Sequence, residues 1–479
     1  MAPGERKQSL KAAADSEYTM NLYRARKKIP DDFGRFKMHR SPGLLAFAQP
    51  SGGVGTSRGS LELNDTLFQV IDATLYQITP NGSTLATFGP IANDGLPVQM
   101  AADPDTLVIV GANVLHALNA GVLSRPAMPA GVTPIGICFL KNYFVLLSSS
   151  LRQFYFSDDG LIWNPADVQT AEADANNLLA ITTHNEELWI CGNRITQVFA
   201  VGTDPNTPFI QRDGAVIPYG IRARASLRRL GDSLIWLNRD RDSEDEIVKV
   251  SGYAEQVISD AAVTNAIRQY SKTATIDDAI GWTYGLNNQE FYCISFPSAR
   301  GGLGATWQYN ATLEEWGEIG SWNATTGLFE RHRANTCLSA FGKLLIGDHT
   351  NGKIYEMSPD VYDDDGGVAR WLWRTPRLGN NGQRVTYNQL EVFGDWGVGL
   401  STGAAEDMDP QMIIRWSNNG GKTFQSERQR SMGLLGTYDR RVTVNQCATG
   451  RDRVFEFSSS ARTFLGINGV GLDVEVLGR

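Results

Sequence analysis

One pattern recurs along this chain and limits what it can become: two short apolar strands joined by a Gly/Asn/Asp turn. It is clearest at residues 341–357, FGKLLIGDHTNGKIYEM, where Leu344, Leu345 and Ile346 form one run and Ile354 and Met357 flank a second. Between them, Gly347, Asp348, Asn351 and Gly352 tolerate the backbone angles of a tight reversal. The same arrangement appears at 67–78 (LFQVIDATLYQI), 107–118 (LVIVGANVLHAL) and 188–199 (LWICGNRITQVF). Looser copies begin near Phe144, Leu234 and Phe291. The starts fall roughly 37 to 57 residues apart, close to the blade period of a β-propeller at about 40 to 50 residues. A unit of this kind cannot bury its apolar face alone, so neighbours must stack around an axis. The fold class is therefore all-β, an irregular propeller of six or seven blades.

Within 479 residues there is room for more than one domain. The array is expected to occupy 59–361, preceded by a basic N-terminal arm and linker at 1–58. After the polar stretch Tyr362 to Gly367, short alternating segments (VTYNQLEVFG, QMIIRWS, RVFEFSSS) predict a C-terminal β-sandwich-like module at 362–479. The alternative is that this segment completes the last blade. No helical domain is expected, and no apolar run approaches the ~18 residues of a membrane span. The first residues lack the apolar centre of a secretory signal. Five singly spaced cysteines (Cys138, Cys191, Cys293, Cys337, Cys447) read as reduced core residues.

The net charge of −8 conceals an asymmetry, because residues 1–40 carry ten Lys/Arg against five Asp/Glu. A basic arm on an acidic body suits docking onto an acidic surface, and an acidic body argues against a dedicated nucleic-acid reader. Ordering such an arm costs about 1–2 kcal/mol per residue, so it is expected to be disordered in the free chain.

Several short motifs then fall in a telling order. Asn21-Leu22-Tyr23 is followed by Ser41-Pro42-Gly43-Leu44 and by a strand pair over 59–70 and 72–78. Ile217-Pro218-Tyr219-Gly220 precedes Ala225-Ser226-Leu227 and Leu234-Ile235-Trp236-Leu237. Further on come Asp409-Pro410-Gln411, residues 415–424, and Arg451-Asp452-Arg453-Val454-Phe455. This ordered set resembles the tail hub proteins of short-tailed phages, a family also described as nozzle, tail-accessory or packaged-DNA stabilisation proteins. The resemblance implies a structural virion protein, made in the host bacterial cytoplasm and resident in the tail. It implies a homo-oligomeric, six-fold ring below the portal–adaptor complex that extends the DNA channel, touches phage DNA transiently and helps retain the genome. A tail needle or plug and tailspikes or fibres are the other implied partners. On this reading Asn21, Leu22, Tyr23, Arg24, Arg26, Lys27 and Lys28 are the candidate adaptor or inter-subunit contacts.

The competing class is a propeller lectin or glycosidase acting on host-surface polysaccharide. Two Asp-box-like turns favour it: Ser157, Asp159, Gly160 and Trp163, and Ser417, Asn419, Gly421, Thr423 and Phe424. Such boxes are folding devices, in which a carboxylate or amide caps turn N–H groups while an aromatic ring packs beneath. A glycosidase also needs paired carboxylates or an arginine cluster with a Tyr/Glu pair. Arg222, Arg224, Arg228 and Arg229 lie together, but Glu186, Glu290 and Glu314 are not singled out by spacing. The Trp307, Trp316, Trp322, Trp371 and Trp373 group reads as core packing before it reads as a sugar platform. The acidic stretch 240–246 lacks the glycine and spacing of a calcium loop. The five histidines show no zinc motif, and no phosphate-loop or dinucleotide fingerprint is present. No enzyme activity, metal or cofactor is expected.

Overall fold

The computed structural model describes residues 17–31, 34–149, 152–171, 177–239, 245–379 and 382–477. Every hairpin singled out above becomes the second and third strand of a four-stranded antiparallel blade, and the described residues form seven blades. They span 57–88, 99–124, 134–170, 178–217, 228–257, 280–323 and 334–358. First strands of successive blades lie side by side at the axis, as with Pro134–Leu140 against Leu178–His184. One apolar cluster fills each gap between neighbours. Phe68, Val70, Leu107 and Ile109 join blades 1 and 2, and Ala48, Leu67, Leu345 and Ile354 join blades 7 and 1.

The seventh blade has only three strands of its own. Its fourth is Gly43–Ala48, which pairs antiparallel with Ile354–Ser358 through Leu44↔Met357 and Leu45↔Glu356. The two ends of the propeller segment meet in this one blade and so close the ring. Gly43 is required there by close approach, since a Cβ would sit 2.4 Å from the Val361 carbonyl oxygen. The arm expected at 1–58 is thus corrected: its last third is propeller, because the closing blade otherwise lacks a strand.

Much of the remaining arm is sandwich. Leu22–Asp31 and Gly34–Arg40 form a hairpin whose second strand pairs with Gly466–Val476, which in turn pairs with Val385–Gly394. The facing sheet contains Trp371–Arg374, Val454–Ser459, Gln411–Ser417 and Gln425–Ser431. Trp371, Trp373, Met412, Ile414, Phe455, Phe457, Leu390 and Ile467 fill the space between the sheets, together with Leu22 and Met38. The C-terminal segment therefore forms a sandwich of its own and does not complete a blade. Residues 17–31 and 34–48 are not a disordered arm: their apolar side chains have two cores to enter.

One helix, Ala261–Thr273, sits between blades 5 and 6. The Asp260 carboxylate caps it by accepting from the N–H groups of Ala262 and Val263 at 3.0 and 2.9 Å, while Val263, Ile267 and Tyr270 turn inward at helical spacing. No helix is long and apolar enough to cross a membrane among the described residues.

Candidate docking surfaces

Tyr18–Met20 joins the two halves. It pairs in parallel with blade 6 (Met20↔Glu318) and antiparallel with the sandwich (Thr19↔Trp373), making one continuous sheet across the boundary. Asn21 follows with φ of +57°, a conformation Asn tolerates better than most residues. Its Nδ2 donates to the carbonyls of Gly320 (2.8 Å) and Arg370 (2.7 Å), and its Oδ1 accepts from Gly320 N (2.8 Å). Leu22 then enters the sandwich core. Tyr23, pointing the opposite way along the strand, enters the cluster between blades 6 and 7 and meets Phe291 edge-on at 5.6 Å.

Arg24 is buried between Glu17 and Glu315, with 2.6 Å to the latter. The same seam holds Glu318, which accepts from both Arg300 (2.9 Å) and Tyr18 (3.4 Å). Burial alone would lower the Arg300 guanidinium, but Glu318 together with Tyr270 and Tyr18 outweighs it and the net shift is upward. So Asn21, Leu22, Tyr23 and Arg24, expected as contacts with other chains, are occupied within this one. Arg26 is exposed on the hairpin and Lys27 is half-buried; the Lys28 side chain lies outside the described residues.

Both Asp-box-like turns work as folding devices. Asp159 Oδ1 accepts from Leu161 N (2.8 Å) and Ile162 N (2.9 Å), while Trp163 is buried and donates to the Gly160 carbonyl at 3.1 Å. Ser157 Oγ accepts from Gly160 N at 3.1 Å. Asn419 Oδ1 accepts from Lys422 N and Thr423 N at 3.1 and 3.0 Å, and Ser417 Oγ accepts from Gly421 N at 2.9 Å. Phe424 packs under the Arg374 guanidinium, 4.8 Å from ring centre to carbon. Trp307, Trp316, Trp371 and Trp373 are buried in cores, and Trp322 stacks with Arg370. Residues 240–244 of the acidic stretch lie outside the described residues, and no cluster able to hold a metal occurs among those described.

Sequence reasoning missed two surfaces. The first is a matter of charge. Residues 41–369 carry 20 Lys/Arg against 36 Asp/Glu, a balance of −16, whereas 1–40 with 370–479 carry 24 against 16, a balance of +8. Because the N-terminal hairpin folds into the sandwich, the basic excess is concentrated on that half and the propeller is strongly acidic. The second is the sandwich loop after Ser431. It exposes Leu434, Leu435 and Tyr438, the last at 75 %, beside Arg440 and Arg441. Two adjacent leucines between glycines, shortly before Asp439, Arg440 and Arg441, were the available signal.

Two family profiles match the chain: one described as Bacteriophage P22 Gp10, beta-propeller, over residues 4–362, and one described as Bacteriophage P22 Gp10, beta-sandwich, over 370–475. No curated protein sequence matches. Among solved structures, the chain is similar to the computationally designed Ika8 protein, at 8 % identity and a TM-score of 0.41, covering 65 % of this chain and 99 % of that one. It is also similar to the N-terminal domain of Nup159, at 8 % and 0.40, covering 74 % and 97 %. For the extracellular domain of the one-component system BT4673 from B. thetaiotaomicron the values are 11 % and 0.42, covering 83 % and 48 %. With a propeller and a sandwich each matched in full sequence order, the chain belongs to the bacteriophage P22 Gp10 family of phage tail structural proteins.

Proposed function

We propose that this chain is a tail hub that docks beneath the portal–adaptor complex as a ring of about six copies, extends the DNA channel, and carries the tail needle or plug and the tailspikes or fibres. The observation that carries this reading is the division of charge, −16 on the propeller segment and +8 on the remainder. A basic sandwich is suited to an acidic ring above it, with Arg26, Lys27 and Lys28 on its hairpin as the adaptor contacts. An acidic propeller is suited to a conduit wall, because phosphate is repelled and the genome slides without sticking. The continuous sheet through Tyr18–Met20 supports the same role, since a joint that transmits force between two domains needs more than a flexible linker.

The test is the mass of the purified chain, alone and mixed with the cognate adaptor ring, with negative-stain imaging of the mixture. A ring of about six copies on the adaptor, weakened by added salt, is the expected result. A chain that stays monomeric and ignores the adaptor at low salt would overturn the proposal.

A further inference from the structure

The far edge of the sandwich carries an apolar face that its own chain leaves uncovered. One sheet runs from Ile280–Leu286 at the propeller axis out through blade 6 and Tyr18–Met20, then crosses the sandwich to end at Gln425–Ser431. Three strands separate that last strand from Tyr18–Met20. The facing sheet ends on the same side at Val442–Asn445, and the loop 432–441 joins the two edges. Leu434, Leu435 and Tyr438 on this loop are each more than half exposed. The loop is tied in place. Gly397 N donates to the Met432 carbonyl and Gly436 N to the Gly397 carbonyl, both at 3.0 Å, and the Thr437 hydroxyl donates to the Leu434 carbonyl at 2.7 Å. A surface already ordered loses little further conformational freedom on contact.

Its charge says what can cover it. Within 425–441, four arginines stand against Glu427 and Asp439. Arg441 pairs with Glu391. Arg428, Arg430 and Arg440 donate to the carbonyls of Glu427 (3.1 Å), Thr443 (2.7 Å) and Ser431 (3.2 Å), and none of these three forms an ion pair among the described residues.

The complementary face is on the propeller. Antiparallel strands reverse at each step, so the turns joining strands one to two and three to four of every blade lie on the same face. The charged ones are 64–65, 103–105, 141–142, 158–167, 185–186, 202–208, 231–232 and 311–314, and they hold ten Asp/Glu against one Lys. That lysine, Lys141, is matched by Glu186 at 3.5 Å. The longest of these turns, 158–167 in blade 3, holds Asp158, Asp159 and Asp167 together with Ile162, which is 73 % exposed. Blade 3 is three places around the ring of seven from blade 6, whose sheet carries the sandwich outward. The two faces therefore lie on opposite sides of the molecule and meet only between copies.

We propose that the far edge of the sandwich seats on the acidic turn face of the propeller of a second copy of this chain, with the loop 432–441 against the turn 158–167. Leu434, Leu435 and Tyr438 cover Ile162, and the unpaired arginines meet the carboxylates. A contact between two different faces repeats from copy to copy and closes into a ring where the rotation allows. The inference rests on the ring reading above and supplies its inter-copy contact. The basic hairpin at Leu22–Asp31, at the opposite edge of its sheet, stays free for the adaptor.

Sedimentation velocity of the full chain without adaptor, at low salt, tests this. The parent is expected to self-associate as its concentration rises to about 100 µM and to dissociate as salt is added. Leu435→Asp with Arg440→Glu blocks the loop, and Asp158→Lys with Ile162→Lys blocks the turn. All four side chains are exposed, so the melting temperatures should match the parent's. Each variant alone should associate about tenfold more weakly or worse. Mixed in equal amounts, the variants should form a pair that grows no further, because one intact loop then meets one intact turn. Misfolded variants could not give that result. A parent that stays monomeric, a mixture that stays monomeric, or self-association lost in the loop variant but kept in the turn variant would each overturn the assignment. Loss of adaptor binding in the loop variant, with no self-association of the parent, would give the loop to the adaptor instead. A chain that self-associates as described but ignores the adaptor would leave this contact standing and remove only the docking reading.

Discussion

Asn21 and Gly320 exchange two hydrogen bonds, Nδ2 to O and N to Oδ1, each 2.8 Å long. Through them an amide side chain imitates a β-ladder pair between segments 299 residues apart. Gly320 also cannot carry a side chain, because a Cβ there would lie 2.3 Å from the Glu330 carbonyl oxygen on the neighbouring strand.

Asn21→Ala removes both bonds, leaves the Arg370 carbonyl without its donor, and forces alanine into the left-handed region. The expected destabilisation is about 2–4 kcal/mol. Asn21→Gly relieves the backbone strain but not the lost bonds, and should recover about 1 kcal/mol. Thermal unfolding checks the order, with separation of one transition into two as the sign that propeller and sandwich have come apart. Equal stability of Asn21→Ala and the parent chain would refute the role.

Arg453 is a second internal support. It is fully buried, lies 4.4 Å from the Tyr387 ring centre and 5.4 Å from that of Phe455, and donates to Asn418 Oδ1 (2.8 Å) and the Cys447 carbonyl (2.6 Å). Arg453→Met is expected to cost about 2–4 kcal/mol, from the lost ring contact and the orphaned acceptors. Arg453→Lys should fail to restore it, since an ammonium lacks the planar fork. Denaturant unfolding of the two variants distinguishes this from a simple need for positive charge.

Two histidines make the propeller acid-sensitive. His332 Nδ1 accepts from Ala334 N at 3.2 Å and His116 Nε2 accepts from Ala92 N at 3.0 Å, so both rings must be neutral at those atoms. Burial pulls His332 down to about 3 and His116 to about 4. The unfolded chain, titrating near 6.5, binds these protons first. Their stabilisation is complete above pH 6.5 and declines as pH falls toward 4 and then 3, by about 1–2 kcal/mol each at pH 5. His332→Asn and His116→Gln keep an acceptor without a proton to gain. Both should flatten the fall in melting temperature between pH 6.5 and 5, where most carboxylates are still ionised. An unchanged slope in both would remove the histidines from the account.

The blades were readable because a hairpin is local. Leu67 and Ile78 pair across a turn a few residues long, so the apolar runs and turn residues lie in one window of sequence. The joints were not readable, because their partners are distant. Met20 meets Glu318, and Leu44 meets Met357, and nothing near residue 20 or 44 announces either. Charge misled for the same reason. Arg24 among basic neighbours reads as a contact for another chain until the fold brings Glu17 and Glu315 against it.

Deleting the first thirty residues would not test docking, since it would remove Tyr18–Met20 and most of Leu22–Asp31 and destabilise both domains. Charge reversal on the hairpin separates docking from folding. Arg26 is exposed, and the strand around it is anchored by Leu22, Tyr23 and Arg24. Arg26→Glu with Lys27→Glu should therefore leave the melting temperature within about 1 kcal/mol of the parent in stability terms. If this edge meets an acidic ring, association with the adaptor should slow and weaken about tenfold or more at low salt, and the difference should shrink as salt is raised. Association rates measured at two ionic strengths decide it. Equal rates for variant and parent at low salt would move the docking surface elsewhere, and the exposed Leu434, Leu435 and Tyr438 beside Arg440 would be the next face to substitute.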